Sequence, residues 1–532
     1  MASKSEWPPA LCLPITTLRT NNNGNTSTTS SSRATSRSRA KGIVVFSGGS
    51  AANNLVDVFN DVADSNQCSL SYVIPISDNG GSSSELIRVF GGPGIGDVRS
   101  RLVRLIPDTE NPHSETAAIK SFFNYRLPST CSEARREWLD IVEAVHPLWT
   151  HISSPKRELI RSFLNAVNLE IVKRLRPSSR FDFSGASIGN LFLTGARLFT
   201  GSFESAIYLL SSICSVPRHI SVLPALNTNF AHHISAGLAD GTTITGQNNI
   251  SHPSIPTIVP GIPASPDPNG TLFATDPSGV QLSLNPYEES ALLSNVQSQE
   301  DRLRTEIEET DKVEDANLPG TLPTLRKPAI KFSKADEEDL PARIKRLWYI
   351  NPYGQEIRIP ANPRVIATIE NSSCIIYSIG SLFTSIVPSL ILKGVGEAIA
   401  SPSIRTKILI LNGTTDRETG PSSQPFSATD FVAAIANACV DSRGFVRPCP
   451  SDEYWHYVTH IVYLEGPSSP KVNKTELNRL GIETMRLYGR KGEDGKSGRY
   501  DAKALTQALE AVIGKADPRA DRTRRNTVDG RG

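Results

Sequence analysis

The sequence predicts an α/β protein: a Rossmann-like, doubly wound, mostly parallel sheet with a helical subregion and a long disordered insertion. Three observations predict it. Short continuous apolar runs such as Ile43-Val44-Val45-Phe46 have the character of parallel strands buried on both faces. These runs end in loops rich in glycine and serine, and residues at helical spacing follow. The alternation resumes beyond a proline-rich and charged stretch, so both flanks belong to one sheet.

Order begins at Gly42. The run 43–46 leads into Ser47-Gly48-Gly49-Ser50, after which Leu55, Val56, Phe59, Val62 and Ala63 recur at helical spacing. A second strand at 70–76 closes a βαβ unit and runs into Asp78-Asn79-Gly80-Gly81-Ser82-Ser83-Ser84, with a helix starting near Glu85. Gly91-Gly92-Pro93-Gly94-Ile95-Gly96-Asp97 precedes a helix over 98–106. Residues 115–213 read as mostly helical from the spacing in 138–149 and 159–172, and strand-like pieces follow at 220–223 and 242–244. Over 251–326, closely spaced prolines (Pro253, Pro256, Pro260, Pro263) give way to the charged stretch 299–315. Such a segment buries too little apolar surface to offset its ordering entropy, which predicts a looped-out, disordered insertion. Beyond Ile344, strands at 375–379 and 408–411 alternate with helices at 386–400, Pro388 in its first turn, and at 430–438. Residues 501–513 form a last amphipathic helix. The organisation is a disordered tail at 1–41, one α/β domain at 42–516 and a disordered tail at 517–532.

The formal net charge of +2 conceals an asymmetry: residues 1–41 hold six Lys/Arg and one Glu, which leaves −3 for the rest. Such a body lacks the excess needed to neutralise many phosphates, so nucleic acid is excluded as a partner. The seven cysteines are odd in number and never spaced Cys-x-x-Cys. That argues against a disulfide framework or a zinc site and fits a reducing, cytoplasmic setting. No run of about 18 apolar residues occurs, so no membrane span is expected; the nearest, 375–400, is broken by Gly380, Pro388, Lys393 and Glu397. The Ser/Thr/Arg-rich start reads as a solvated tail rather than a transit peptide, because Pro8, Pro9, Pro14 and Asn21-Asn22-Asn23-Gly24 build no amphipathic helix. Whether the chain forms a homo-oligomer is open.

In open α/β sheets, ligands sit outside the carboxyl ends of strands, where helix N-termini present unpaired amides. The Ser47-Gly48-Gly49-Ser50 loop lets a phosphate approach the backbone closely and adds hydroxyl donors. It is neither Gly-x-Gly-x-x-Gly nor a Walker A loop, and a tight βα turn without ligand is the competing reading. Asp78 at a strand end can hold Mg²⁺, contact a ribose hydroxyl or cap the next helix. Arg99 either forks onto a phosphate or pairs with Asp97 or another carboxylate. Ser187-Ile188-Gly189-Asn190 and Gly380-Ser381-Leu382-Phe383-Thr384-Ser385 repeat the theme of small polar residues opening a helix. His232 and His233, adjacent on a strand, point to opposite faces and read as solvent-facing or core residues rather than metal ligands.

Taken together the loops resemble the CofD-like superfamily, which holds the 2-phospho-L-lactate transferases and the bacterial YvcK-type proteins also called gluconeogenesis factors. Ser47-Gly48-Gly49-Ser50 is similar to that family's opening glycine-rich loop. Asp78-Asn79-Gly80-Gly81-Ser82-Ser83 resembles the YvcK-branch Asp-Asp-Gly-Gly-Ser-Ser loop, and Pro93-Gly94-Ile95-Gly96-Asp97-Val98-Arg99 its Pro-Pro-Gly-Asp-Ile-Arg motif with one extra residue. Ser187 to Leu191, the short β segment from Asp240 to Ile250, and the loop from Gly380 to Pro388 complete six matches in the family's order.

The resemblance implies a nucleotide-diphosphate ligand. It implies Mg²⁺-aided phosphoryl transfer to a deazaflavin alcohol in the transferase branch, and UDP-sugar binding by a metabolic regulator in the YvcK branch. Asn79 stands where the family has a second acidic residue, which removes one possible metal ligand and weakens the transferase reading, while the Gly-Gly-Ser-Ser continuation and the Gly-Asp-Val-Arg segment belong to the YvcK side. The expected function is nucleotide-diphosphate or nucleotide-sugar binding, with transfer of the 2-phospho-L-lactate transferase type as its catalytic form. A non-catalytic UDP-sugar-binding regulator is the alternative, and an interaction scaffold a second one. Gly48, Gly49 and Ser50 would cradle phosphate with Asn53 capping nearby, and Asn79, Gly80, Gly81 and Ser82 would add donors. Asp97, Arg99, Asn190, Ser381 and Thr384 would complete the rim, and Asp78 would be the catalytic and Mg²⁺-binding carboxylate.

Overall fold

The computed structural model describes residues 42–48, 51–77, 82–175, 180–251, 322, 325, 339–445, 447–491 and 498–514. The tails, almost all of the expected insertion, Gly49, Ser50, Asp78, Asn79, Gly80 and Gly81 lie outside them. In chain order β1 (Gly42–Phe46), a 3-10 turn (Ala51–Leu55), α1 (Val56–Ser65) and β2 (Leu70–Ile74) come first. Next are α2 (Ser82–Phe90), α3 (Gly96–Arg104), α4 (Glu115–Asn124), α5 (Cys131–Val142), α6 (Ser154–Arg174), α7 (Ile188–Thr200) and α8 (Phe203–Ile213), and β3 (Ile220–Pro224) returns to the sheet. β4 (His233–Leu238), β5 (Thr243–Thr245), α9 (Gln247–Ser251), β6 (Ile344–Ile350) and β7 (Glu356–Ile357) follow. Then come α10 (Pro363–Glu370), β8 (Ser372–Tyr377), a π-helical turn (Leu382–Ile386), α11 (Val387–Leu390), α12 (Val395–Ala400) and β9 (Thr406–Ile410). The described chain closes with α13 (Ala428–Ser442), β10 (His460–Leu464), α14 (Lys474–Arg479), β11 (Glu483–Leu487), β12 (Gly489–Lys491), β13 (Gly498–Tyr500) and α15 (Ala502–Ile513).

Seven strands form one sheet in the order β11-β10-β9-β8-β1-β2-β3, and every pairing in it is parallel. The continuous apolar runs are explained by this: all five residues of β1 and of β2 are buried, as in strands covered by helices on both faces. On α1 the buried side chains Val56, Val58, Phe59, Val62 and Ala63 form one stripe against the core. Strand order reverses between β1 and β8, the two neighbours that are farthest apart in sequence. That is the switch point at which doubly wound sheets open a crevice.

The structure differs from the sequence reading in three places. A second, antiparallel sheet of order β5-β4-β6-β7 is inserted between β3 and β8, where strands were expected only in the β5 region and at His232-His233. The helix expected over 386–400 is instead a π-helical turn, α11 and α12, because Gly394 takes a left-handed φ of 93° and Lys393 bridges to Pro360. The strand expected at 375–379 starts earlier, at Ser372, because its two polar residues pair alongside Gly42. His233 opens β4 and is buried, and burial pushes its imidazole down to about 4. Among the described residues no three His, Cys, Asp or Glu converge on a metal position, and no helix is long and apolar enough to cross a membrane.

Candidate functional site

Both strands of the switch point end in small residues. β1 stops at Phe46, where the Ser378 amide donates to the Phe46 carbonyl at 3.0 Å, and the chain passes into Ser47 and Gly48. β8 stops at Tyr377 and passes through Ser378 and Gly380 into the π-helical turn. The amide and carbonyl of Gly380 are gripped by one side chain, Asn412 beyond β9: Oδ1 accepts at 3.0 Å and Nδ2 donates at 2.9 Å. π-Helical turns recur at functional sites, since the extra residue re-aims the side chains that follow.

Three segments meet at Gly48. A Cβ built there would sit 3.0 Å from Asp97 Oδ2, on the first turn of α3, and 3.1 Å from Ser385 Cβ, on the π-helical turn. A side chain there would meet both neighbours at tight contact, so the absence of a Cβ lets the three segments approach closely. The expected residues Gly48 and Asp97 are thus neighbours, and the loop that carries Ser381 and Thr384 forms the facing side. Ser381 is half-buried at the start of the turn. The Thr384 hydroxyl is turned the other way, donating to Glu418.

Glu418 is 1% exposed and also accepts the amides of Phe383 at 2.8 Å and Thr384 at 3.0 Å. It fastens the start of the π-helical turn as a cap fastens a helix. Burial, and then the nearby charge of Asp416, pushes its carboxyl up to about 8.

Behind Ser47 and Gly48 lies α3, which carries two buried arginines. Arg101, 1% exposed, donates to Ser47 Oγ at 3.2 Å and the Ala52 carbonyl at 3.4 Å, and stacks 4.5 Å over the Tyr72 ring. Arg99, 8% exposed, donates to Asn190 Oδ1 at 3.3 Å and Asn124 Oδ1 at 3.4 Å rather than pairing with Asp97. Asn190 in turn reaches Ser83 Oγ at 3.5 Å, tying α7 to α2. Neither guanidinium has a carboxylate within ion-pair distance among the described residues. Burial lowers both, Arg99 to about 10, and the charge of Asp97 offsets part of that. A buried cation without a bonded anion is costly, and proteins normally pair one.

Two buried hydroxyls, Ser378 Oγ after β8 and Ser187 Oγ at the start of α7, have no hydrogen-bond partner among the described residues. Such groups can accept a partner from water, an ion or a ligand. Asn53, expected to cap near the phosphate, donates to Ser100 Oγ at 2.7 Å and so joins the 3-10 turn to α3. Ser82 begins α2, and its side chain is not described. Sequence reasoning missed Arg101, Asn412 and Glu418, and named Ser385 only as the end of the 380–385 loop.

The profile described as 2-phospho-L-lactate transferase CofD matches residues 43–486. The chain belongs to the CofD family. Among its relatives, the uncharacterized protein YNL011C of Saccharomyces cerevisiae is 38% identical over 427 residues, covering 80% of this chain and 90% of that protein. A protein named gluconeogenesis factor from Halalkalibacterium halodurans is 26% identical over 212 residues, which is 40% of this chain and 46% of that one. A crystal structure of a UPF0052-family protein from Bacillus halodurans aligns with a TM-score of 0.50 at 19% identity, over 88% of this chain and 99% of that chain. That likeness is one of fold. Placed on this CofD-family chain, the segments singled out in the sequence fall within the matched range.

Proposed function

We propose that the protein binds a nucleoside diphosphate or nucleotide sugar in the crevice at the carboxyl ends of β1 and β8, beside the point where the loop at Ser47 and Gly48 meets the loop over 380–385. One observation supports this above all. Arg99 and Arg101 bring two buried positive charges up behind the crevice, with no bonded carboxylate among the described residues. An anionic diphosphate in front of them supplies the missing charge, and the unpartnered hydroxyls of Ser187 and Ser378 are further donors.

Mg²⁺ fits the residues in a limited role. It needs only one or two carboxylates when phosphate oxygens and water complete its shell. Asp97, whose Oδ2 lies beside Gly48, offers one such group, and Asp78 is the second that the sequence supplies in these loops. The ion would neutralise diphosphate charge. Asn79, where the family pattern has an acid, leaves the site one carboxylate short. That favours binding without turnover over phosphoryl transfer.

Calorimetric titration of the whole chain with GDP and with UDP-N-acetylglucosamine, each with and without Mg²⁺, tests the reading. Saturable binding of at least one ligand is expected, weakened roughly tenfold or more in Asp97→Asn and Asp78→Ala when Mg²⁺ is present. A folded protein that binds neither ligand overturns it. Formation of product when a guanosine-linked phospholactate donor and a deazaflavin alcohol acceptor are supplied together would assign the transferase chemistry instead of the regulator.

A further inference from the structure

Between α13, α11 and β6 lies a half-open cavity of about 190 Å³. Its inner wall is apolar: Leu347 of β6, Phe383, Val387 and Ile391 around α11, and Ala434 and Ala438 of α13. The two alanines make the space, because a larger residue at either position would fill it. An apolar void of this size leaves its lining without contact partners, and a void of roughly 150 Å³ accommodates an aromatic ring.

The mouth is charged, and its charges do not balance. Arg346 pairs with Glu356 and with Asp441 Oδ2 at 3.0 Å, and Arg358 reaches Asp441 Oδ1 at 3.0 Å, so these four groups compensate one another. Lys345 and Arg447 are exposed at the same mouth, and neither has an acidic partner within ion-pair distance among the described residues. Asn437 adds an amide: its Oδ1 is occupied by the Cys449 amide at 2.8 Å, and its NH₂ group donates to no described residue. Phe445, 47% exposed, closes one side, with Arg443 and Arg447 lying 5.7 and 5.8 Å from its ring centre.

We infer that this cavity is a second ligand site, built for a small amphipathic acid whose apolar body fills the space beneath Phe445 and whose carboxylate meets Lys345, Arg447 and Asn437. The two requirements are independent features of the chain: an apolar pocket sets the size of the body, and the uncompensated cations set the sign of the head group. The back of the pocket is Phe383, a residue of the π-helical turn whose Ser385 faces Gly48. An occupant therefore lies against the same turn that borders the crevice, yet touches neither Arg99 nor Arg101. The site stands whether or not the crevice binds a nucleotide.

Fluorine NMR of 4-fluorophenylacetate with the whole chain tests this directly, with 4-fluorophenylacetamide as the uncharged twin. Saturable broadening of the acid at about millimolar concentration or below is expected, with the amide at least tenfold weaker. The double variant Lys345→Ala/Arg447→Ala, which changes only exposed side chains, should weaken the acid by a similar factor and leave the amide unmoved. Ala434→Leu, which fills the cavity, should abolish binding of both. Equal binding of acid and amide, no loss in the double variant, or no saturable binding of the acid would each overturn the proposal.

Discussion

Arg101 carries its charge to a place where a serine hydroxyl, a backbone carbonyl and an aromatic ring receive it. None of these neutralises it. A buried charge kept without a bonded counter-charge weakens the free protein, and on the function proposed above its return is the affinity for an anionic ligand. Arg101→Met preserves the contact with the Tyr72 ring and removes the charge. The expected result is stability in urea unchanged or raised by about 1–2 kcal/mol, with nucleotide affinity reduced roughly tenfold or more. Urea unfolding and calorimetry on one preparation decide it. Unfolding at much lower urea with full affinity would make Arg101 a packing residue.

At the level of elements, the break between α11 and α12 shows what a single backbone conformation contributes. Gly394 sits at φ 93°, and a Cβ there would lie 3.3 Å from Ile366 Cδ1. Gly394→Ala should lower stability by roughly 1–2 kcal/mol, read as a shift of the urea midpoint with unchanged slope. The sequence reading ran a helix through this point, since the apolar spacing over 386–400 continues and a single glycine is tolerated in a helix. By contrast β1, β2 and β9 were legible, because a strand covered on both faces must be a continuous apolar run. β4 and β6 were not. Arg346 and Lys345 inside β6 interrupt its apolar pattern, and the partners of Arg346, Asp441 and Glu356, lie on other elements. The site divides the same way. Its glycine and serine loops could be read locally. Arg101 reaches Ser47 across 54 positions, Asn412 reaches Gly380 across 32 and Glu418 reaches Phe383 across 35, and no local pattern announces such contacts.

For the molecule as a whole, these buried groups tie stability to pH. Glu418 is pushed from 4.5 up to about 8, and Asp416 is raised as well, both chiefly by burial. Between those values the folded chain keeps a proton that the unfolded chain has released, so stability falls as pH rises, by at most about 1.4 kcal/mol per pH unit for each proton held. His233 acts in the opposite sense and in a lower window. Its imidazole is pushed from 6.5 down to about 4, so stability gains from it as pH rises and the gain is complete near 6.5. Lys407, lowered from 10.5 to about 8, contributes only above that range, where its effect also rises with pH. The window from about pH 6.5 to 8 therefore isolates Glu418. The wild-type urea midpoint should fall across it, and Glu418→Gln should flatten most of the fall. The glutamine can stay in place, its carbonyl accepting the Phe383 and Thr384 amides while its NH₂ meets the Thr384 hydroxyl. A wild-type midpoint that rises through this window, or a variant that falls as steeply, would show that Glu418 is ionised throughout and holds the π-helical turn as a plain anionic cap.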